Sequence, residues 1–272
     1  METKIIFENV TDLDLKETFS CGQCFRFCEN NDGTFSGVVR GRAVTVGYQD
    51  NTLVLYGAAE EDRALWEDYF DLRRDYGEVK RKLSDVHPVM KEAASYASGI
   101  RILSQEPFEA LITFIISQNN NIKRITGIIG RLCESFGEEI SQGTYAFPTP
   151  EALAVLSEDD LSPIRAGFRH KYILDAAKKV SSGEIDLESL RSLPYEDARN
   201  ELMKIKGVGV KVADCVLLYG LHRLDAFPMD VWMKRAMKEL FDGMDPTVFG
   251  DYAGIAQQYI FHYSRMHSEL FD

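Results

Sequence analysis

Between residues 4 and 57, short β-prone stretches alternate with turn residues. Segments 5–10, 24–28, 34–40, 43–48 and 52–56 read as strands. Asn31-Asp32-Gly33, Arg40-Gly41 and Gln49-Asp50-Asn51 supply hairpin punctuation between them. The pattern predicts an antiparallel sheet. From about residue 59 the period changes, and Trp66, Tyr69 and Phe70 share one helical face. After Pro107 helical spacing dominates. Segment 108–117 reads as a buried helix, Asn119-Asn120-Asn121 interrupts it, and 122–136 resumes. Pro148-Thr149-Pro150 is a breaker before a short helix at 151–156. Further helices fit 171–181, 195–204, 209–220, 230–241 and 252–266. The organisation is therefore α+β, with an N-terminal antiparallel-sheet domain at 1–105 and an all-helical domain at 106–272.

Composition narrows the class. The 272 residues are 45% hydrophobic and 27% charged, which supports a sizeable core and argues against disorder. The longest apolar stretch, 110–116, is far short of a membrane span. Met1-Glu2-Thr3-Lys4 lacks the layout of a secretory signal, and five cysteines is an odd count. Both point to a reducing compartment, cytoplasmic or nuclear, with no membrane partner. The net charge of −12 by itself argues against a polyanionic partner. Its distribution argues the other way. Segment 119–131 carries +3, and 163–179 carries five Lys/Arg against one Asp. Segment 203–238 carries seven Lys/Arg against three Asp, so the rest of the chain holds −23. Each run alone reads as a solvated helix face. Three of them in an acidic chain form a polyanion site if the fold joins them.

The most informative stretch is LMKIKGVGVKVADCVLLYGLHRLDAFPMDVWMK, residues 202 to 234. A helix ends near Lys204, Gly207-Val208-Gly209 turns tightly, and a second helix begins. The free N–H groups at that second start, with the helix dipole, suit one phosphate without reading a base. Lys211 lies in the first turn, where a cation is electrostatically misplaced. That placement favours the free amine, the form that attacks carbon, although position alone fits a solvated lysine touching phosphate better. Asp230 follows Pro228-Met229 and reads first as the N-cap of the next helix. Its loop can also bring the carboxylate toward Lys211. An amine and a carboxylate in one cleft could open a sugar at C1′.

On these residues the chain resembles the eukaryotic-type 8-oxoguanine DNA glycosylase/AP lyases, within the helix-hairpin-helix glycosylases. The matching stretches are Ser20-Cys21-Gly22-Gln23-Cys24-Phe25-Arg26, Ser117-Gln118-Asn119-Asn120-Asn121-Ile122-Lys123-Arg124-Ile125, Gly167-Phe168-Arg169, the segment 207–215, and Tyr252-Ala253-Gly254-Ile255-Ala256-Gln257. The resemblance implies a TATA-binding-protein-like sheet domain before the helical one. It also implies a monomer acting on double-stranded DNA that contains 8-oxoguanine, with cytosine as the expected opposite base.

Site residues carry over one by one. Lys211 resembles the nucleophile that forms a Schiff base before β-elimination, and Asp230 its catalytic carboxylate. Gly22 resembles the glycine whose carbonyl accepts N7–H, which guanine lacks. Cys215 and Phe261 resemble the pair that sandwiches the flipped base, and Gln257 the reader of its Watson–Crick edge. Asn119, Arg124, Phe168 and Arg169 resemble the residues that fill the vacated stack and bind the orphaned cytosine. Gly207, Val208 and Gly209 resemble the phosphate clamp. No organic cofactor is implied, only a monovalent cation on the backbone near Ile205, Val208 and Val210. Base rates alone would make Phe261 and Cys215 core residues, Gly22 a turn glycine and 119–121 an interhelical turn.

The chain departs from the family in two places. Phe168 stands where Tyr is common, and Trp232 where a phosphate-binding His is common, leaving an indole N–H as the substitute donor. Cys21, Cys24 and Cys28 resemble a metal motif in spacing only, since a strand would not aim all three at one point. Two other readings compete: a monofunctional glycosylase for alkylated bases on the same fold, and a non-catalytic helix-hairpin-helix DNA-binding protein.

Overall fold

The computed structural model describes residues 3–271. Five antiparallel strands, β1 (Lys4–Phe7), β2 (Phe27–Glu29), β3 (Phe35–Val39), β4 (Arg42–Gln49) and β5 (Thr52–Tyr56), form one sheet in the order β1-β5-β4-β3-β2. Val39 pairs with Arg42 and Gln49 with Thr52, so two hairpins close through two-residue loops. All four loop residues, Arg40, Gly41, Asp50 and Asn51, have positive φ, as a type I′ turn requires. Helix α1 (Leu15–Ser20) precedes β2 and is capped by Asp14, which accepts from the Glu17 amide at 2.8 Å. Six residues with two apolar anchors are too few for sequence periodicity to reveal it. Helix α2 (Arg63–Tyr69) closes a core around Ile5, Val46, Leu53, Leu55, Trp66 and Phe70.

Ten further helices follow. They are α3 (Tyr76–Ser84), α4 (Pro88–Tyr96), α5 (Pro107–Ser117), α6 (Ile122–Phe136), α7 (Pro150–Ala154), α8 (His170–Ser181), α9 (Tyr195–Met203), α10 (Val210–Cys215), α11 (Val231–Leu240) and α12 (Ala253–Met266). A two-stranded hairpin, β6 (Glu139–Ser141) with β7 (Thr144–Tyr145), follows α6. Helix α5 is the centre, with nine of its eleven residues buried. Asn121 caps α6 by accepting from the Arg124 amide at 3.0 Å.

The two hydrophobic cores do not divide at the 105/106 boundary read from the sequence. Tyr76, Val79 and Leu83 of α3 and Met90 and Ala93 of α4 belong to the helical core, whereas Leu103 belongs to the sheet core. Segment 100–106 runs between the two cores. Its Ser104 amide donates to the Tyr69 carbonyl at 2.9 Å, and its Gln105 amide to the Tyr219 carbonyl at 2.8 Å.

A buried ion pair also crosses between them. Arg26, on the loop before β2, meets Glu109 of α5 at 3.2 Å and donates to the Tyr145 carbonyl at 2.5 Å. Burial pushes the Glu109 carboxyl up to about 7, against the pull of Arg26. The folded chain then holds more protons than the unfolded chain between about 4.5 and 7. This part of the stability is present at low pH and lost as pH rises through that window. We expect Glu109→Gln to flatten the fall in thermal stability from pH 5 to pH 7 by about 1–3 kcal/mol. Melting curves at half-unit pH steps check this, and a slope equal to the wild type's would refute it.

Candidate active site and nucleic-acid interface

The three basic segments do meet, in series along α8. Arg169 at its start donates to the carbonyls of Ala166, Gln118 and Asn119. Asp175 in its middle accepts from the Lys206 amide at 2.8 Å, and Lys179 near its end donates to the Lys204 carbonyl at 2.5 Å. Segments 119–131, 163–179 and 203–238 therefore share one region of the surface, a local positive field on an acidic molecule.

The turn between α9 and α10 has the geometry its glycines foretell. Gly207 has φ +79°, and a methyl there would lie 2.5 Å from the Tyr172 ring, so a side chain is excluded twice over. Gly209 is extended and caps α10, with open space around it. The first amide bound along α10 is that of Ala213, to the Gly209 carbonyl at 3.0 Å. The amides of Val210, Lys211 and Val212 donate to no partner among the described residues, as at the start of any helix.

Helix α10 continues through a wider turn, Val216–Gly220, to Tyr219. Lys211, half-buried in its first turn, holds Nζ 5.4 Å from the centre of the Phe114 ring. Phe114 in turn stacks on Tyr219 at 5.2 Å and 18°. One turn further on, Cys215 is buried. Burial pushes its thiol up, the charge and hydrogen bond of Lys211 pull it down, and Asp214 and Asp230 push it up again. Asp230 caps α11, accepting from the Met233 amide at 2.8 Å. Among the described residues no ion pair within 4 Å joins Asp230 to Lys211. The carboxylate and the amine both act on the Cys215 thiol, and the carboxylate is engaged with its own helix.

The facing wall comes from the first domain. Gly22 has φ +90°, and a methyl on it would come within 3.9 Å of the Phe261 ring. Phe261 and Gln257 lie one turn apart on α12. Gln257 is buried, with Oε1 3.4 Å from the Tyr219 hydroxyl. Gly22, Lys211, Cys215, Gln257 and Phe261 thus converge from three distant parts of the chain. A cavity of about 880 Å³ between the sheet and α6 is lined by none of them.

Other expected residues fall in different ways. Phe168 is 54% exposed and Arg124 and Asn119 are exposed, Asn119 with φ +46°. Arg169 is 2% exposed. Its two terminal nitrogens donate to backbone carbonyls, its buried Nε has no hydrogen-bond partner among the described residues, and the guanidinium lies 4.4 Å from the Phe168 ring, so in this conformation it braces the 118–119 turn rather than reaching outward. The indole N–H of Trp232 is also spent, donating to Ser264 at 2.9 Å, which removes it as a phosphate donor. Cys21 belongs to the helical core and Cys24 to the sheet core, and Cys28 is exposed. Phe114, Tyr219 and Gln258 also shape the site, yet in the sequence they are ordinary members of helical patterns.

Comparison with known proteins agrees with this geometry. The family described as 8-oxoguanine DNA glycosylase, N-terminal domain, matches residues 5–111. The HhH-GPD superfamily of base excision DNA repair proteins matches residues 112–247. An N-glycosylase/DNA lyase of Saccharomyces cerevisiae is 43% identical over 155 residues, which is 52% of this chain and 41% of the yeast protein. MBOgg1, solved in complex with a low-affinity DNA ligand, is 45% identical with a TM-score of 0.93, covering 98% of this chain and 96% of that one. The Clostridium acetobutylicum 8-oxoguanine glycosylase/lyase, solved with double-stranded DNA containing cytosine opposite 8-oxoG, is 38% identical with a TM-score of 0.91, covering 98% of each chain.

Proposed function

The chain belongs to the 8-oxoguanine DNA glycosylases of the HhH-GPD superfamily, and from that premise we propose that it excises 8-oxoguanine from duplex DNA and then nicks the strand. One observation carries the reading. The Gly22 carbonyl, across from Phe261 and in the same site as Lys211, accepts no hydrogen bond among the described residues. A backbone acceptor suits N7–H of 8-oxoguanine and repels N7 of guanine, itself an acceptor.

The target nucleotide leaves the stack to reach this site. Phe261 and Cys215 enclose the base, and the Gln257 amide reads its Watson–Crick edge. The Lys211 Nζ lone pair attacks C1′, and the C1′–N9 bond breaks with its electrons passing to the base. Asp230 offsets the positive charge that develops on the sugar. The nitrogen then gives up a proton and its lone pair expels O4′, so the C1′–O4′ bond breaks, the sugar ring opens and the linkage becomes a Schiff base. Once protonated, this loses a C2′ proton, and the C3′–O bond breaks, its electrons leaving with the phosphate, to cut the strand. The turn Gly207-Val208-Gly209 grips one phosphate through the amides of Gly207 and Gly209 and the start of α10, the Val208 amide being held by the Ile205 carbonyl. Asn119, Arg124 and Phe168 face the gap and the orphaned cytosine. The carbonyls of Ile205, Val208 and Val210 are hard oxygen donors at one turn and would hold a monovalent cation, adding positive charge beside that phosphate. Ile205 accepts only from the Val208 amide, at 3.1 Å, and keeps a lone pair for it. The protein works as a monomer on chromosomal DNA. Among the described residues no helix is long and apolar enough to cross a membrane.

The test is a duplex with 8-oxoguanine opposite each of the four bases, beside an undamaged G·C control. We expect strand cutting fastest opposite cytosine and none at undamaged guanine. Equal cutting of guanine would overturn the assignment of Gly22.

A further inference from the structure

The Gly22 carbonyl is free, but the carbonyls on either side of it are tied. Gln258 Nε2 donates to the Cys21 carbonyl at 3.1 Å. Gln105 Nε2 donates to the Gln23 carbonyl at 2.7 Å. Both glutamines are buried, at 1% and 5% exposure. Gln23 itself is fully buried, its amide spanning the Thr18 and Arg101 carbonyls and the Leu103 amide, each at 2.9 Å.

Both ties converge on Tyr219. Its hydroxyl donates to Gln258 Oε1 at 2.5 Å, and its carbonyl accepts from the Gln105 amide at 2.8 Å. The same ring stacks on Phe114, over which the Lys211 amine lies. From this geometry we infer that Gln258 and Gln105 are positioning residues, which hold the Gly22 carbonyl in fixed register with the Lys211 amine through Tyr219. The inference rests on Gly22 being the acceptor for N7–H.

The physical reason is the narrowness of the discrimination. A single hydrogen bond separates lesion from guanine, and it weakens steeply with distance and angle. Cys21 ends α1 at φ −74° and ψ 1°, and Gly22 follows at φ +90°, so no regular helix or strand holds this turn rigid. Polar groups this deeply buried are costly unless paired, so the arrangement is also self-enforcing: either glutamine lost leaves a carbonyl orphaned.

The experiment replaces Gln258 by Met, which keeps the length and removes both amide atoms. Two rates are read on the full chain: release of 8-oxoguanine opposite cytosine, and strand cutting at a preformed abasic site, where no base enters the pocket. Release should fall about tenfold or more, with reduced preference over guanine, while abasic cutting stays within about twofold of wild type. Gln105→Met, acting on the other side of Gly22, should give the same split, and serves if Gln258→Met does not fold. Equal falls in both rates, or no fall in either, would overturn the inference. A wild-type enzyme that releases guanine as readily as 8-oxoguanine would instead overturn the role of Gly22 itself.

Discussion

Lys211→Gln abolishes base release and strand cutting together, by about three orders of magnitude or more, which corresponds to at least about 4 kcal/mol of lost transition-state stabilisation. The glutamine amide has no nucleophilic lone pair, and no other amine stands at the junction of α10 with Phe114 and Cys215. Folding is expected to survive. Among the described residues Lys211 belongs to no ion pair, and its stem lies along an aromatic face that a glutamine stem also covers. DNA binding is expected to survive as well, because the Gly207–Gly209 turn and the basic segments are untouched. Retention of binding separates this enzyme from a non-catalytic helix-hairpin-helix module. Loss of base release separates it from a monofunctional glycosylase, which activates water and has no use for the amine. Gel assays under single-turnover conditions, with binding read by anisotropy, check both.

Asp230→Asn has the second largest effect, a fall in base release of about 100-fold or more. The choice of asparagine matters because Asp230 does two jobs. It caps α11 through the Met233 amide, and asparagine caps a helix about as well. The stability of the variant should stay within about 0.5 kcal/mol of wild type while release collapses, because the neutral amide no longer balances charge on the sugar. Asp230→Ala should lose release and about 1 kcal/mol of stability besides. Thermal melts beside single-turnover rates measure the two separately. A full-rate Asp230→Asn enzyme would reduce Asp230 to a cap. The free structure sharpens the question, since the carboxylate is not paired with Lys211 within 4 Å, and substrate must bring the two into play.

Much of the fold is written in local chemistry. The Arg40-Gly41 and Asp50-Asn51 turns carry their positive φ angles in their residue types, and the strands between them follow. Helix α6 begins and ends where Asn121 and Gly137 place it. Helix α1 and the β6–β7 hairpin are absent from the sequence pattern because they are too short for a period to develop. The period changes near residue 59 and helical spacing dominates after Pro107, whereas the cores divide according to which surfaces find each other, and α3 and α4 pack on the helical side.

Within the site, Gly207, Lys211 and Asp230 stand out in the sequence by residue type and position, whereas Gly22 is singled out only through the family resemblance. The partners of those groups do not stand out. Nothing in sequence shows that Arg169 turns inward to the 118–119 turn, or that Ser264 takes the Trp232 N–H. Gln258 reaches Cys21 across 237 positions, and neither Tyr219 nor Phe114 differs from a core aromatic until the helices are packed.

Borohydride reduction of the reacting complex, followed by peptide mapping of the adduct, interrogates the chemistry most directly. A single sugar remnant on the side chain of Lys211 is the result required. A remnant on another lysine or on the terminal amine, or none on a duplex whose damaged base has been released, would contradict the mechanism.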